Sequence, residues 1–357
     1  MKLFAVELGN RQVKLISEKS TKVLPSYFID AEEYGNREVF AFAKSESPTS
    51  DYISNRDSEF TYVWGPGLDA SGKLVTDTIG FSGRYNSLEF KLLADFALAE
   101  LARDFKESKK GILDVVVVTG VPTEDYDKEN VFDQVISALK GVHSATIDGE
   151  SYAVRVHDVY VLMQPVGTAI DIMVDAKGNI KEGSDVEENY IGVIDVGGGT
   201  LLIDAFDRMN LDTKNRAQLE EGAFTLYTAI RNRVHETGYK ITDQEIERLL
   251  RINSDSQTYV WSPNGREKLD LTDIVMTERK RYTRKVVSSV KSTYKSIARM
   301  KRVYVTGGTA NLLIKSEFER VIPIAQFVED SETANARGFY KYGIVNEVTT
   351  VGEETAD

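Results

Sequence analysis

Cysteine is absent from all 357 residues, which excludes disulfides and thiolate-bound metals and suits a reducing, cytoplasmic setting. Histidine is nearly as scarce. His143, His157 and His235 lack the short spacing of a metal-binding pair and read as surface residues. Long apolar runs are missing too: stretches such as Val115–Val118 are far too short to cross a bilayer. Met1–Leu8 reaches Glu7 before the apolar core of a signal peptide can develop. No proline- or serine-rich linker divides the chain, so any domains are joined by short crossings. Positive charge is in deficit. The formal net charge of -12 repels phosphates on average and argues against direct nucleic-acid binding.

What is present is the composition of a folded protein, with 41% hydrophobic and 28% charged residues. The length exceeds what one hydrophobic core usually serves, so two domains are expected. One stretch departs from the acidic background. Arg279 to Arg302 holds ten Lys or Arg residues and no acid. Val286, Val290, Tyr294 and Ile297 recur there at helical spacing, which reads as a helix with a solvated basic face. The alternative is a docking strip for an acidic surface of a subunit or partner.

Leu3–Leu8 and Gln12–Ser17 alternate as two strands around the turn Gly9-Asn10-Arg11. Residues 22 to 84 are irregular, with short strand candidates at Glu38–Ala43 and Phe60–Trp64. A helix is expected over Ser87–Lys106, with Leu88, Leu92, Phe96 and Ala99 as one apolar stripe. The four valines within Asp114–Thr119 suit a strand covered on both faces. Further strands are expected at Val154–Met163, Ile191–Asp195, Leu201–Phe206 and Val303–Thr306, with a hairpin near Ser256–Lys268. Strands alternating with helices predict an α/β fold with largely parallel sheets.

The strongest motif is Ile191-Gly192-Val193-Ile194-Asp195-Val196-Gly197-Gly198-Gly199-Thr200-Leu201. An apolar strand ends in a carboxylate, and three glycines turn it into a second strand. Glycine lets backbone N–H groups approach phosphate oxygens, and Thr200 can donate one more hydrogen bond. Asp195 can hold Mg²⁺ through the metal's water shell. The plainer reading is a tight structural turn. The opening hairpin, Glu7 to Lys14, repeats the pattern, with an acid two residues before Gly9 and a lysine in the return strand that can reach a phosphate. The plainer reading there is an ordinary hairpin with a solvated lysine. A third element, Val303–Leu312, runs a strand into Gly307-Gly308, against which a flat ligand can lie.

In order and spacing these elements resemble the superfamily of actin, the heat-shock chaperones and the sugar kinases. Glu7–Lys14 resembles its first phosphate loop, Met163–Thr168 its first connection and Asp195–Thr200 its second phosphate loop. Val303–Leu312 resembles the adenosine segment and Ala334–Gly338 the second connection. Val116–Pro122 and Gln164–Thr168 look like the ParM and Alp branch of bacterial actin-like proteins, which polymerise with ATP and push plasmids apart. One departure stands out: Glu7 occupies a place where the family usually has Asp.

The resemblance implies an actin-like fold of two ribonuclease-H-like domains flanking a nucleotide cleft. The expected division is 1–164, with a variable subdomain at about 22–84, then 165–333, then a C-terminal helix at 334–357 packing back on the first domain. It implies nucleotide contacts from Gly9, Asn10, Arg11, Lys14, Gly197, Gly198, Gly199, Thr200, Gly307, Gly308, Thr309 and Asn311. It also implies Mg²⁺ held through water by Asp195 and Glu7. The nucleotide expected is ATP, with GTP as the alternative. Expected partners are further copies of the chain and a DNA-bound adaptor protein, with no membrane. A small-molecule kinase of the same superfamily is the rival function. A kinase needs a carboxylate base, whereas this chain offers Gln164, which orients water without accepting its proton.

Overall fold

A computed structural model of the protein describes residues 1–35, 49–68, 75–77, 83–252 and 257–348. The strand candidate Glu38–Ala43 and the acidic tail Val351–Asp357 lie outside the described residues. The chain forms two units, Met1–Lys181 together with Asn335–Asp357, and Glu182–Ala334.

Ten strands of the first unit form one sheet: β1 (Lys2–Leu8), β2 (Gln12–Ile16), β3 (Thr21–Pro25), β4 (Tyr27–Asp30), β5 (Ser50–Ser54), β6 (Tyr62–Trp64), β7 (Thr76–Asp77), β8 (Ile112–Val121), β9 (Gly141–Ile147) and β10 (Glu150–Met163). Their order is β3-β2-β1-β8-β10-β9-β5-β6-β4-β7. β1 turns back on β2 in an antiparallel hairpin, and β8 then β10 join it in parallel. Val115–Val118 are almost wholly buried because β8 is central and covered on both faces. Alternate valines serve different clusters. Val115 and Val117 pack with the helix Leu88–Ala102, while Val118 packs with Ala336 and Phe339 of the helix Ala334–Val345.

The second unit contains β11 (Tyr190–Val196), β12 (Leu201–Asp207), β13 (Asn210–Leu211), β14 (Ala217–Leu219), β15 (Val260–Trp261), β16 (Leu269–Asp270), β17 (Arg302–Thr306) and β18 (Ala325–Phe327). Its main sheet runs β13-β12-β11-β17-β18. Two antiparallel pairings are followed by two parallel ones, the pattern of β3-β2-β1-β8-β10 in the first unit. Glu7 and Asp195 therefore occupy equivalent places, each next to last in the first strand of its unit.

Three expectations need correction. The helix Leu88–Ala102 has no single apolar stripe, because nearly every residue from Phe90 to Ala102 is buried while Leu88 is 47% exposed. Both the sheet and the helix Val131–Leu139 pack on it. The basic helix ends at Thr293, and a 3-10 turn at Ile297–Arg299 leads into β17. His143 is no surface residue. It is buried, with Nδ1 2.7 Å from Asp95 Oδ1 and Nε2 2.7 Å from the Leu139 carbonyl.

Candidate phosphate-binding hairpins

In the first unit, antiparallel pairing sets Glu7 directly across from Lys14. Glu7 is buried, and its Oε1 lies 3.5 Å from Lys14 Nζ. β10 ends at Met163, so the next residue, Gln164, opens the helix Gln164–Met173 beside the same carboxylate. Gln164 Nε2 is 3.5 Å from Glu7 Oε1. Residues far apart in sequence thus meet on one oxygen. The turn beyond Glu7 is closed by Gly9 N–H donating to Gln12 O at 3.1 Å. Arg11 lies over the Tyr27 ring, 5.4 Å from its centroid, and Asn10 Oδ1 accepts from Arg84 Nη1.

The glycine hairpin of the second unit is shaped from behind by the helix Ala223–Glu236. Gly222 N–H donates to Gly199 O at 3.3 Å, Ala223 N–H to Gly197 O at 3.0 Å, and Phe224 N–H to Gly198 O at 3.0 Å. Three successive carbonyls therefore face the helix start. Because peptides are planar and trans, the N–H groups of Gly198, Gly199 and Thr200 point the other way. Such a row of N–H groups is an anion nest. Gly222 makes the approach possible, since a Cβ there would lie 2.6 Å from the Gly197 and Gly198 oxygens. Sequence reasoning missed Gly222 to Phe224. The only local signal was a glycine opening a helix.

Asp195 is buried at the end of β11 and pairs in register with Thr306 of β17. The third segment is tied to the hairpin through Thr309, whose N–H donates to Val196 O at 2.9 Å and whose hydroxyl donates to Gly197 O at 3.0 Å. Gly307 is held by Ser331, which accepts from its N–H and donates to its carbonyl. Asn311 is exposed just beyond, and Gly308 is half-buried. Asp195, Gly197–Thr200 and Gly307–Asn311 thus form one constellation. Arg279 supports it from below. Buried, it donates from Nε to Leu312 O at 2.8 Å and from Nη2 to Asn311 O at 3.3 Å.

This internal role removes Arg279 from the basic strip. Lys280 pairs with Glu317, Arg281 with Glu278, Lys285 with Glu221 and Arg302 with Asp185. Arg284, Lys291 and Lys295 stay exposed. In the first unit, the helix Ala334–Val345 is pinned to Gln164–Met173. Thr168 Oγ1 donates to Asn335 Oδ1 at 2.6 Å, and buried Asp171 accepts from Arg337 Nη2 at 2.6 Å and Lys341 Nζ at 2.7 Å. The helix backbones touch: a Cβ at Gly338 would fall 1.7 Å from Gly167 O.

Among the described residues no cluster of three acidic or histidine side chains could hold a metal directly. The fit for Mg²⁺ is therefore indirect. Buried Asp195 beside the anion nest supplies one carboxylate, which suits an ion that keeps its waters and takes its other ligands from phosphates.

A family model of the N-terminal domain of actin-like proteins matches residues 5–167, and one of the Alp7A C-terminal domain matches residues 190–339. No curated protein sequence matches the chain. Among solved structures, apo psk41 ParM is 23% identical, with a TM-score of 0.74 over 98% of this chain and 99% of that one. Bacillus thuringiensis ParM with AMPPNP is 17% identical, with a TM-score of 0.71 over 97% and 99%. The archaeal actin homolog Ta0583 in complex with ADP is also 17% identical, with a TM-score of 0.71 over 96% and 99%. The fold is actin-like.

Proposed function

This chain belongs to the actin-like proteins of the ParM and Alp type, and on that premise we propose that it is a nucleoside triphosphatase whose filaments segregate plasmid DNA. The observation that carries the nucleotide reading is the row of N–H groups at Gly198, Gly199 and Thr200, turned outward by the start of the helix Ala223–Glu236. A polyphosphate suits such a nest. Thr309 and Asn311 border the place for the nucleoside. The relatives with bound AMPPNP and ADP support the same ligand class.

Lys14 and the hairpin at Gly9–Arg11 are assigned to phosphates, and Gln164 to the attacking water. Asp195 would hold Mg²⁺ through its waters, and the ion would supply charge neutralisation at the phosphates; Glu7, in the first unit, is likewise assigned to metal-bound water. Gln164 favours hydrolysis over transfer to a substrate hydroxyl, since an amide cannot serve as general base. Family membership supports assembly, and the proposal includes an adaptor protein linking filament to DNA in a bacterial cytoplasm.

Light scattering with ATP-Mg²⁺, GTP-Mg²⁺ or no nucleotide, followed by electron microscopy, tests the proposal. The expected result is nucleotide-dependent filaments above a critical concentration. A protein that phosphorylates small molecules and stays monomeric at high concentration overturns it.

A further inference from the structure

The turn after Glu7 is gripped by a residue that none of the motifs contains. Arg84 follows Gly83 in a short 3-10 turn, and Ser87 then caps the helix Leu88–Ala102 by accepting the Phe90 N–H. From this anchored position Arg84 Nη2 donates to Leu8 O at 2.6 Å and Gly9 O at 3.0 Å, and Nη1 donates to Asn10 Oδ1. Ser26 completes the grip, its hydroxyl donating to Gly9 O at 2.7 Å and its N–H to Arg11 O at 3.0 Å. With the Gly9 carbonyl held on this side, planarity of the peptide puts the Asn10 N–H on the opposite side.

The charge is what makes the contact unusual. Its hydrogen-bond acceptors among the described residues are neutral, and the carboxylates that act on it, Asp125 and Asp77, do so through the field rather than through a hydrogen bond. Its Nε is buried without a hydrogen-bond partner. The rings of Tyr85 and Phe90 are each 5.6 Å from the guanidinium carbon. Asp125 is already engaged by the Tyr85 hydroxyl at 2.7 Å and by Lys128. Burial holds the guanidinium below its ordinary value, yet arginine stays charged at any working pH. A cation kept dry against neutral oxygens is costly unless an anion balances it.

We infer that Arg84 is a positioning residue for the first phosphate-binding turn. It fixes the carbonyls of Leu8 and Gly9 and adds positive potential behind the N–H face that receives a nucleoside polyphosphate. This inference rests on the nucleotide reading above. Arginine suits the task because its planar fork reaches several acceptors at once, whereas lysine supplies the charge without the fork.

Steady-state hydrolysis of ATP-Mg²⁺, with calorimetric binding of ATP and of adenosine, tests it on the parent, Arg84→Met and Arg84→Lys. In Arg84→Met the KM for ATP should rise about tenfold while kcat changes much less, because ground-state and transition-state binding are lost together. Adenosine affinity should hold, and Arg84→Lys should recover part of the KM. Unchanged KM in Arg84→Met overturns the inference, even where its melting temperature falls. Equal losses for ATP and adenosine overturn it as well. If Arg84→Met does not fold, Arg84→Lys decides: a parent-like KM overturns the inference and a rise of a few-fold supports it. A parent that binds no nucleotide removes the underlying reading and Arg84's role with it, whereas a parent that binds beside indifferent variants removes only the latter.

Discussion

Gln164 Nε2 lies 3.5 Å from Glu7 Oε1, at the start of the helix that opens where β10 stops. The separation is long for a hydrogen bond, so the amide is near the carboxylate without being committed to it. Lys14 approaches the same oxygen at the same distance. Such slack suits groups that must also engage a water or a phosphate.

If Gln164 orients the attacking water, Gln164→Ala should bind ATP and assemble normally while hydrolysis falls by about two orders of magnitude. Phosphate release and filament lifetime measure the two effects. A stable variant that hydrolyses ATP at the parent rate removes the assignment.

Glu7 is buried against Lys14, so Glu7→Gln deletes a charge at once from the proposed metal environment and from that lysine. Hydrolysis should drop at least about tenfold in Glu7→Gln. Glu7→Asp keeps the charge and should lose only a few-fold. Equal rates for Glu7→Gln and the parent would make the carboxylate structural.

Gly222→Ala should push the hairpin off the helix start, because its Cβ would sit 2.6 Å from two carbonyl oxygens. The expected cost is about 1–3 kcal/mol of stability, as for other overpacked sites, with nucleotide affinity down about tenfold. Denaturant titration and nucleotide titration read these separately. Parent-like affinity would show that the hairpin does not depend on this contact.

Asp95 collects three partners in the core of the first unit: Ser54 Oγ at 2.6 Å, Arg56 Nε at 2.9 Å and His143 Nδ1 at 2.7 Å. Asp95→Ala strands all three, and should destabilise the fold by about 3–5 kcal/mol. Chemical denaturation checks it. A loss under about 1 kcal/mol would mean that water replaces the carboxylate.

Exposed Lys291 and Lys295 offer a test of the docking alternative. Reversing both to Glu should raise the critical concentration for assembly or weaken adaptor binding, more so at low salt. If neither moves, the basic face is merely solvated.

Local chemistry in the sequence determined a good deal. The valine run in β8 suited a doubly covered strand, and Asp195-Val196 before three glycines read as a buried strand end opening a turn. Those features depend on neighbours within a few residues, so they were legible. Tertiary structure decided what no local pattern encodes. The Leu88–Ala102 helix lost its stripe because it is buried nearly all round, and His143 left the surface because Asp95 needed a partner inside. Arg279, counted in a basic strip, is a buried support for Asn311 and Leu312. Arg84, 74 residues from Asn10, grips the first turn. A long side chain's hydrogen-bond partners are set by which distant carbonyls the fold brings within reach, and a sequence does not display that distance.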